Sequence, residues 1–160
     1  MLYVFLGQGD GYALLSRAVQ TVWGEETLPE IEKTADGKPR FSENPNWHFN
    51  LSHSGELVLC ALSDSPVGVD IELVRPRKEG LPEYVLRGED YERFHRLGGD
   101  WSAFYTLWTE RESIVKYTGE GLKAWRRAEV PSGCVISHFS GEGWRGAVCA
   151  YEKCGAPEYL

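Results

Sequence analysis

The stretch from Asp100 to Gly121, DWSAFYTLWTERESIVKYTGEG, constrains the fold most, because it joins a helical apolar pattern to a charge that such a pattern should exclude. Trp101, Phe104, Tyr105, Trp108 and Val115 recur at helical spacing along one stripe. Asp100, after Gly98-Gly99, suits an N-cap, and Gly119 and Gly121 suit helix stops. At about 100° per residue, Glu112 falls near the middle of the stripe and Lys116, one turn on, at its edge. A carboxylate on a buried face costs on the order of several kcal/mol unless it is paired, protonated or bound to a metal. Either Glu112 and Lys116 form an internal ion pair at i,i+4, or another element brings Glu112 its partner.

A second anomaly lies in three strand candidates between residues 47 and 73. Trp47-His48-Phe49-Asn50-Leu51 alternates, which predicts Trp47, Phe49 and Leu51 on the buried side. Leu57 to Leu62 is a nearly continuous apolar run, as in a covered strand. After the turn Ser63-Asp64-Ser65-Pro66, Val67, Val69, Ile71 and Leu73 take one face and leave Gly68, Asp70 and Glu72 on the other. Asp70 and Glu72 therefore project side by side, about 7 Å apart at the backbone. Their repulsion would be relieved by an oxygen-preferring divalent cation; the alternative is an ordinary water-facing side of a strand.

The remaining pattern is mixed. Residues 2–6 predict a strand, and Tyr12, Leu15, Val19, Val22 and Trp23 a short amphipathic helix with Arg17 off its stripe. Residues 31–34 suggest a short strand before the loop Ala35-Asp36-Gly37-Lys38-Pro39, and residues 89–97 a helix. Val135 to Phe139 and Ala147 to Tyr151 return to strands. The expectation is an α+β fold with antiparallel strands packed on helices.

At 160 residues the chain suits one domain, or two very small lobes sharing a core. Its net charge of −7 argues against a protein that coats nucleic acid or acidic membrane. Basic residues nevertheless group as Lys33, Lys38 and Arg40, as Arg75, Arg77 and Lys78, and as Lys123, Arg126 and Arg127, which could form local anion sites. The start MLYVFLGQGDGY carries no basic leader or cleavage site, and no run reaches bilayer length, so the expected location is the cytoplasm. Cys60, Cys134, Cys149 and Cys154 lack metal-site spacing, and Cys60 and Cys149 sit in apolar runs as small hydrophobes.

One arrangement answers both anomalies: Asp70 and Glu72 on a strand meet Glu112 on the helix, making a three-carboxylate site. Mg²⁺ suits it, because this ion keeps waters and takes the rest of its shell from substrate phosphates. Lys116, the loop lysine Lys38 and the Ser52-His53 turn add positive and hydrogen-bonding groups for those phosphates. The chemistry is metal-assisted phosphoryl transfer or phosphate binding.

The succession GKP (37–39), FNLSHS (49–54), VGVDIE (67–72) and WTERESIVKYTGEGL (108–122) resembles the 4′-phosphopantetheinyl transferase family, with the larger Sfp-like type the closer match. The resemblance covers residues 37–122 and continues weakly to about 151. It implies Mg²⁺ held by Asp70, Glu72 and Glu112, with Glu112, Lys116 and Glu72 as the catalytic set. It also implies coenzyme A contacts from Gly37, Lys38 and Pro39 on the nucleotide, and from Ser52, His53 and, more loosely, Arg17 on the 3′-phosphate. The implied reaction moves 4′-phosphopantetheine from coenzyme A to a serine of an acyl or peptidyl carrier protein and releases 3′,5′-ADP. Glu112, directly or through a water it positions, is the candidate for taking the serine proton, and Lys116 for stabilising the leaving phosphate. The implied architecture is a monomeric compact pseudo-dimer with lobes at 1–64 and 65–160 and the site between them.

Four departures from the family pattern stand out. About 36 residues precede Gly37, fewer than usual, which bears on coenzyme A affinity. Arg111 replaces the lysine before the glutamate, Glu120 stands where G-K-G-L has lysine, and Asp90 in GEDY stands for a common glutamate. Trp47, Trp101 and Trp108 are expected in the core, while Trp125, Arg126 and Arg127 suit either a carrier-protein surface or a solvated loop. Two other readings share these residues: a weakly active homologue that binds coenzyme A or carrier protein, and an unrelated Mg²⁺-dependent phosphohydrolase.

Overall fold

Successive residues of the central strands serve different layers, and this alternation builds the architecture. In β5 (Leu57–Ser63), Val58, Cys60 and Leu62 point into a core shared with Leu14, Leu15, Ala18 and Val19 of α1 (Gly11–Trp23). The intervening Leu59 and Ala61 point the other way, onto Val67, Val69 and Ile71 at β6 (Gly68–Leu73). A third core lies beyond the second sheet, around α4 (Trp101–Thr118). The layers therefore run α1, first sheet, second sheet, α4. The computed structural model describes the backbone of all 160 residues and every side chain except those of residues 122–124, so the expected basic group member Lys123 lies outside the described side chains.

The first sheet has the order β4-β5-β1-β9, with β1 at Leu2–Gln8, β4 at His48–Ser54 and β9 at Glu158–Tyr159. The second has the order β6-β8-β7, with β7 at Val135–Gly141 and β8 at Trp144–Ala150. A separate hairpin joins β2 (Ile31–Lys33) to β3 (Pro39–Phe41), so Pro39 opens a strand where a loop was expected. Apart from β9, the pairings are antiparallel. The units β1-α1-β4-β5 and β6-α4-β7-β8 follow one plan: in each sheet the last strand lies between the other two. Both long helices begin at an aspartate whose side chain accepts a backbone N–H at 2.8 Å (Asp10 from Ala13, Asp100 from Ala103) and stop at a left-handed glycine, Gly24 or Gly119.

Several expectations need adjustment. α2 (Leu81–Val85) and a 3₁₀ helix at Leu122–Arg127 join the expected α3 (Glu89–Arg96). α4 is buried well beyond one stripe, including Leu107, Ser113 and Ile114, because it lies between the second sheet and the α2–α3 segment. β9 pairs in parallel with β1 and Leu160 packs in the first core, so the chain crosses back over a boundary at residue 64. Among the described residues, no helix is long and apolar enough to cross a membrane.

Candidate functional site

The face of β6 that carries Gly68, Asp70 and Glu72 is not an ordinary water-facing side: α4 packs on it at Gly68, Asp70 retains only 4% exposure, and Glu72 is half-buried. Gly68 allows this close approach: a Cβ there would stand 2.1 Å from the Ser113 carbonyl oxygen and 2.3 Å from the Tyr117 nitrogen. Strand and helix thus touch backbone to backbone one residue from Lys116.

That contact creates the ion pair at the centre of the site. Lys116 Nζ donates to Asp70 Oδ1 at 2.7 Å and to Ser52 Oγ at 2.9 Å, and Ser52 Oγ donates to Asp70 Oδ1 at 2.8 Å. The partner of Lys116 is therefore Asp70 and not Glu112, which removes the internal helix pair. Glu112 is buried beside Asp70 and Glu72. Burial, reinforced by the charge of Asp70, pushes its carboxyl up to about 7. Burial also raises Asp70, against the pull of Lys116, and raises Glu72, against a hydrogen bond from Ser54.

The three carboxylates share a neighbourhood without forming the expected cage. Among the described residues, no three Asp, Glu, His or Cys side chains converge into a ready-made cation site. The reason is local: Lys116 and Ser52 hold one Asp70 oxygen, and Ser54 holds Glu72 Oε2 at 2.9 Å. Yet the donor set fits a cation. Asp70 Oδ2 and Glu112 Oε1 are two of only three buried side-chain polar atoms, among the described residues, that lack a hydrogen-bond partner. Buried acid oxygens left in this way call for a proton or a metal.

A cleft of about 500 Å³ opens beside Ser52 and Lys116, lined also by Gly37, Lys38, Pro39, His53, Gly119 and Gly121 among others. The three acids are not among its lining residues, and Glu72 faces a separate, smaller cavity with Arg77, Leu81 and Trp108. Gly37 sits at φ 81° at the tip of the β2–β3 hairpin, a conformation natural to glycine. Lys38 lines the cleft, but its Nζ donates to the carbonyls of Val67 (3.3 Å) and Tyr117 (3.0 Å), capping the end of α4, and burial lowers its pKa. It thereby fastens the hairpin to the seam between the sheets. His53 is exposed at the rim. Arg17 does not line the cleft; it is exposed on α1 and its Nη2 donates to the Leu160 carbonyl at 3.5 Å.

Two departures from the family pattern meet each other. Arg111 donates to Asp90 Oδ2 through Nε at 2.8 Å, with Nη2 at 2.6 Å, and its Nη1 donates to the Ala128 carbonyl. The shorter acid is matched by the longer, forked base. Beside this pair, Arg93 clamps Glu110 with two bonds of 2.8 Å and His138 Nε2 lies 2.9 Å from Glu110 Oε2. Burial works against ionised Glu110, but Arg93 and His138 prevail and bring its carboxyl to about 2. Trp125 is buried, 5.1 Å from the Trp108 ring, and is not a surface residue, while Arg126 lies over Tyr84 at 5.8 Å.

The sequence reading missed Asn50 and Ser54, although both follow a polar period of two through Asn50, Ser52 and Ser54. Attention to the apolar half of that alternation hid the other half. It also missed Glu110, which looks like an ordinary helix-surface charge until α3 and β7 supply its partners.

A sequence profile described as the 4′-phosphopantetheinyl transferase superfamily matches residues 66–145, which include Asp70, Glu72, Glu112 and Lys116. The 4′-phosphopantetheinyl transferase AcpT of Salmonella typhi is 38% identical over 148 residues, covering 87% of this chain and 73% of that protein. The 4′-phosphopantetheinyl transferase psf-1 of Bacillus pumilus is 36% identical over 94 residues, covering 58% of this chain and 40% of its own length. Sfp of Bacillus subtilis (strain 168) is 36% identical over 88 residues, covering 54% and 39%. The chain thus spans about 40% of the Bacillus relatives that it matches and nearly three quarters of AcpT. With a profile spanning half the chain and a relative matched over most of its length, this chain belongs to the 4′-phosphopantetheinyl transferase superfamily.

Proposed function

We propose that the chain transfers 4′-phosphopantetheine from coenzyme A to a serine of an acyl or peptidyl carrier protein, dependent on Mg²⁺, and releases 3′,5′-ADP. The observation that carries this reading is the pair of unpartnered buried oxygens, Asp70 Oδ2 and Glu112 Oε1, beside a lysine that opens on a cleft of about 500 Å³. Asp70, Glu72 and Glu112 against the single ammonium of Lys116 leave two negative charges, which suits a divalent cation. Mg²⁺ is favoured because it takes few protein carboxylates and completes its shell from water and phosphate, so a site short of a closed cage is appropriate. When bound it would neutralise charge on the pyrophosphate.

The residues of the chain then divide the work. Lys116 spends two of its three N–H groups on Ser52 and Asp70, leaving one for a phosphate oxygen facing the cleft. As the serine oxygen bonds to the phosphorus that bears pantetheine, the bond from that phosphorus to the 3′,5′-ADP oxygen breaks, and Glu112 accepts the serine proton. Without a cation, burial and Asp70 hold that carboxyl at about 7; with a divalent cation bound it would fall and stay ionised as an acceptor. Gly37 and Pro39 offer hairpin backbone to the nucleotide, and His53 at the rim offers a hydrogen bond to the 3′-phosphate; Arg17 would need to swing from Leu160 to join it.

The same reading treats the chain as a monomeric pseudo-dimer acting in the cytoplasm on neither nucleic acid nor membrane. Its support is the repeated strand order, the paired aspartate and glycine helix caps, and the net charge of −7. The test is intact-mass spectrometry of an apo carrier protein incubated with the chain, coenzyme A and Mg²⁺. The expected result is a gain of one phosphopantetheine arm that disappears with EDTA. Coenzyme A binding without any gain, across several carrier proteins, would replace this reading with that of a weakly active homologue.

A further inference from the structure

β6 is an outer strand of its sheet, and its outward N–H groups meet side chains where a neighbouring strand would ordinarily lie. Asn50 Oδ1 accepts from Val69 N at 2.8 Å, Ser52 Oγ from Ile71 N at 3.2 Å and Ser54 Oγ from Leu73 N at 3.1 Å. Acceptors recur at every second residue of β4 and donors at every second residue of β6, always 19 positions apart. A slip of the two strands would break all three bonds together, so these side chains set the register of β6 against the first sheet.

Two of the three hydroxyls also reach the acids. Ser52 donates to Asp70 Oδ1, and Ser54 donates to Glu72 Oε2 at 2.9 Å. Ser54 does not line the large cleft, whereas Ser52 and His53 do. Its hydroxyl holds both the backbone beyond Glu72 and one carboxylate oxygen, while Oε1 takes no hydrogen bond among the described residues. Groups that orient a ligating carboxylate in this way govern metal affinity without touching the metal.

We propose that Ser54 is a positioning residue that acts through Glu72, fixing the carboxylate so that its free oxygen serves the divalent cation. This rests on the transferase reading above, which calls for that cation. The test is Mn²⁺ binding to the full chain, followed by electron paramagnetic resonance without coenzyme A, for wild type, Ser54→Ala, Ser54→Thr, Glu72→Gln and the double variant Ser54→Ala/Glu72→Gln. Thermal unfolding in EDTA is measured alongside. Ser54→Ala should weaken Mn²⁺ binding about 10- to 100-fold, and Ser54→Thr, which keeps the hydroxyl, should restore it. In the Glu72→Gln background, Ser54→Ala should add nothing, since the two residues act as one unit. Asn50 and Ser52 remain to hold the register, so the variants should fold. Lowered thermal stability with unchanged Mn²⁺ affinity, or losses that multiply in the double variant, would overturn the proposal while leaving the transferase reading intact. A wild-type chain that takes up no Mn²⁺ and transfers nothing would overturn both.

Discussion

Replacing Gly68 with alanine tests the link between the packing of β6 on α4 and the chemistry. The added methyl carbon would stand 2.1 Å from Ser113 O, 2.3 Å from Tyr117 N and 2.8 Å from Tyr117 Cα. Ordinary contacts to carbon lie near about 3.5 Å, so helix and strand must part by roughly 1 Å or more. The obstructing atoms are backbone, so no side-chain rotation relieves the clash. Overpacking of this kind costs about 1–3 kcal/mol. Removing a strand glycine returns about 0.5–1 kcal/mol, so the clash wins. With three backbone contacts below 3 Å the clash lies at the upper end, about 2–3 kcal/mol, so the net loss is about 1–2.5 kcal/mol, a fall in Tm of about 2–10 °C for a chain of this length. Activity should suffer more than stability. Tyr117 follows Lys116, and a displacement of about 1 Å would stretch the 2.7 Å contact between Lys116 and Asp70 past hydrogen-bonding distance. The assay is thermal unfolding by circular dichroism together with the rate of carrier-protein modification. An alanine variant with wild-type Tm and wild-type turnover would refute the claim that this contact sets the site.

Three further outcomes are expected. Glu112→Gln should abolish transfer while leaving the circular dichroism spectrum and the unfolding cooperativity unchanged, since no described hydrogen bond is lost from its buried oxygen; normal turnover would remove Glu112 from the mechanism. Glu110 has its folded-state carboxyl at about 2, below its ordinary value of 4.5, so its contribution is present above 4.5 and is lost as pH falls towards 2. That contribution is at most about 3 kcal/mol, and urea titrations between pH 5 and pH 2 should show a shallower acid slope in Glu110→Gln. Arg111→Lys should lose the forked contact to Asp90 and the bond to the Ala128 carbonyl, at a cost of about 1–3 kcal/mol. Adding Asp90→Glu should recover part of that loss, and strict additivity in the double-mutant cycle would show that the two departures are independent.

Much of the site was legible in residue order. The period of two in VGVDIE placed Asp70 and Glu72 on one face, and the helical period placed Glu112 and Lys116 on one side of α4. Both features are local, so steric geometry alone transmits them from sequence to structure. What those faces meet is not local. The strand pattern alone favours a solvent-facing Asp70; it is the seat of Gly68 against the backbone of α4 that buries it. Lys38 reads as a phosphate ligand from its loop, yet in the fold it caps the end of α4, because the hairpin brings it to two carbonyls.

The sequence by itself determined the main strands and both long helices, which acids and which base share a face, and the family resemblance. Periodicity and capping chemistry act over a few residues, and motif order survives without coordinates. Only the tertiary structure decided the partner of Lys116, the orphaned oxygens of Asp70 and Glu112, and the side-chain ladder from β4 to β6. The partner and the ladder depend on segments at least 18 residues apart meeting at hydrogen-bond distance, and the orphaned oxygens on α4 burying them against β6. Such meetings follow from how two sheets and two helices stack as layers, and no local pattern in the chain encodes that stacking.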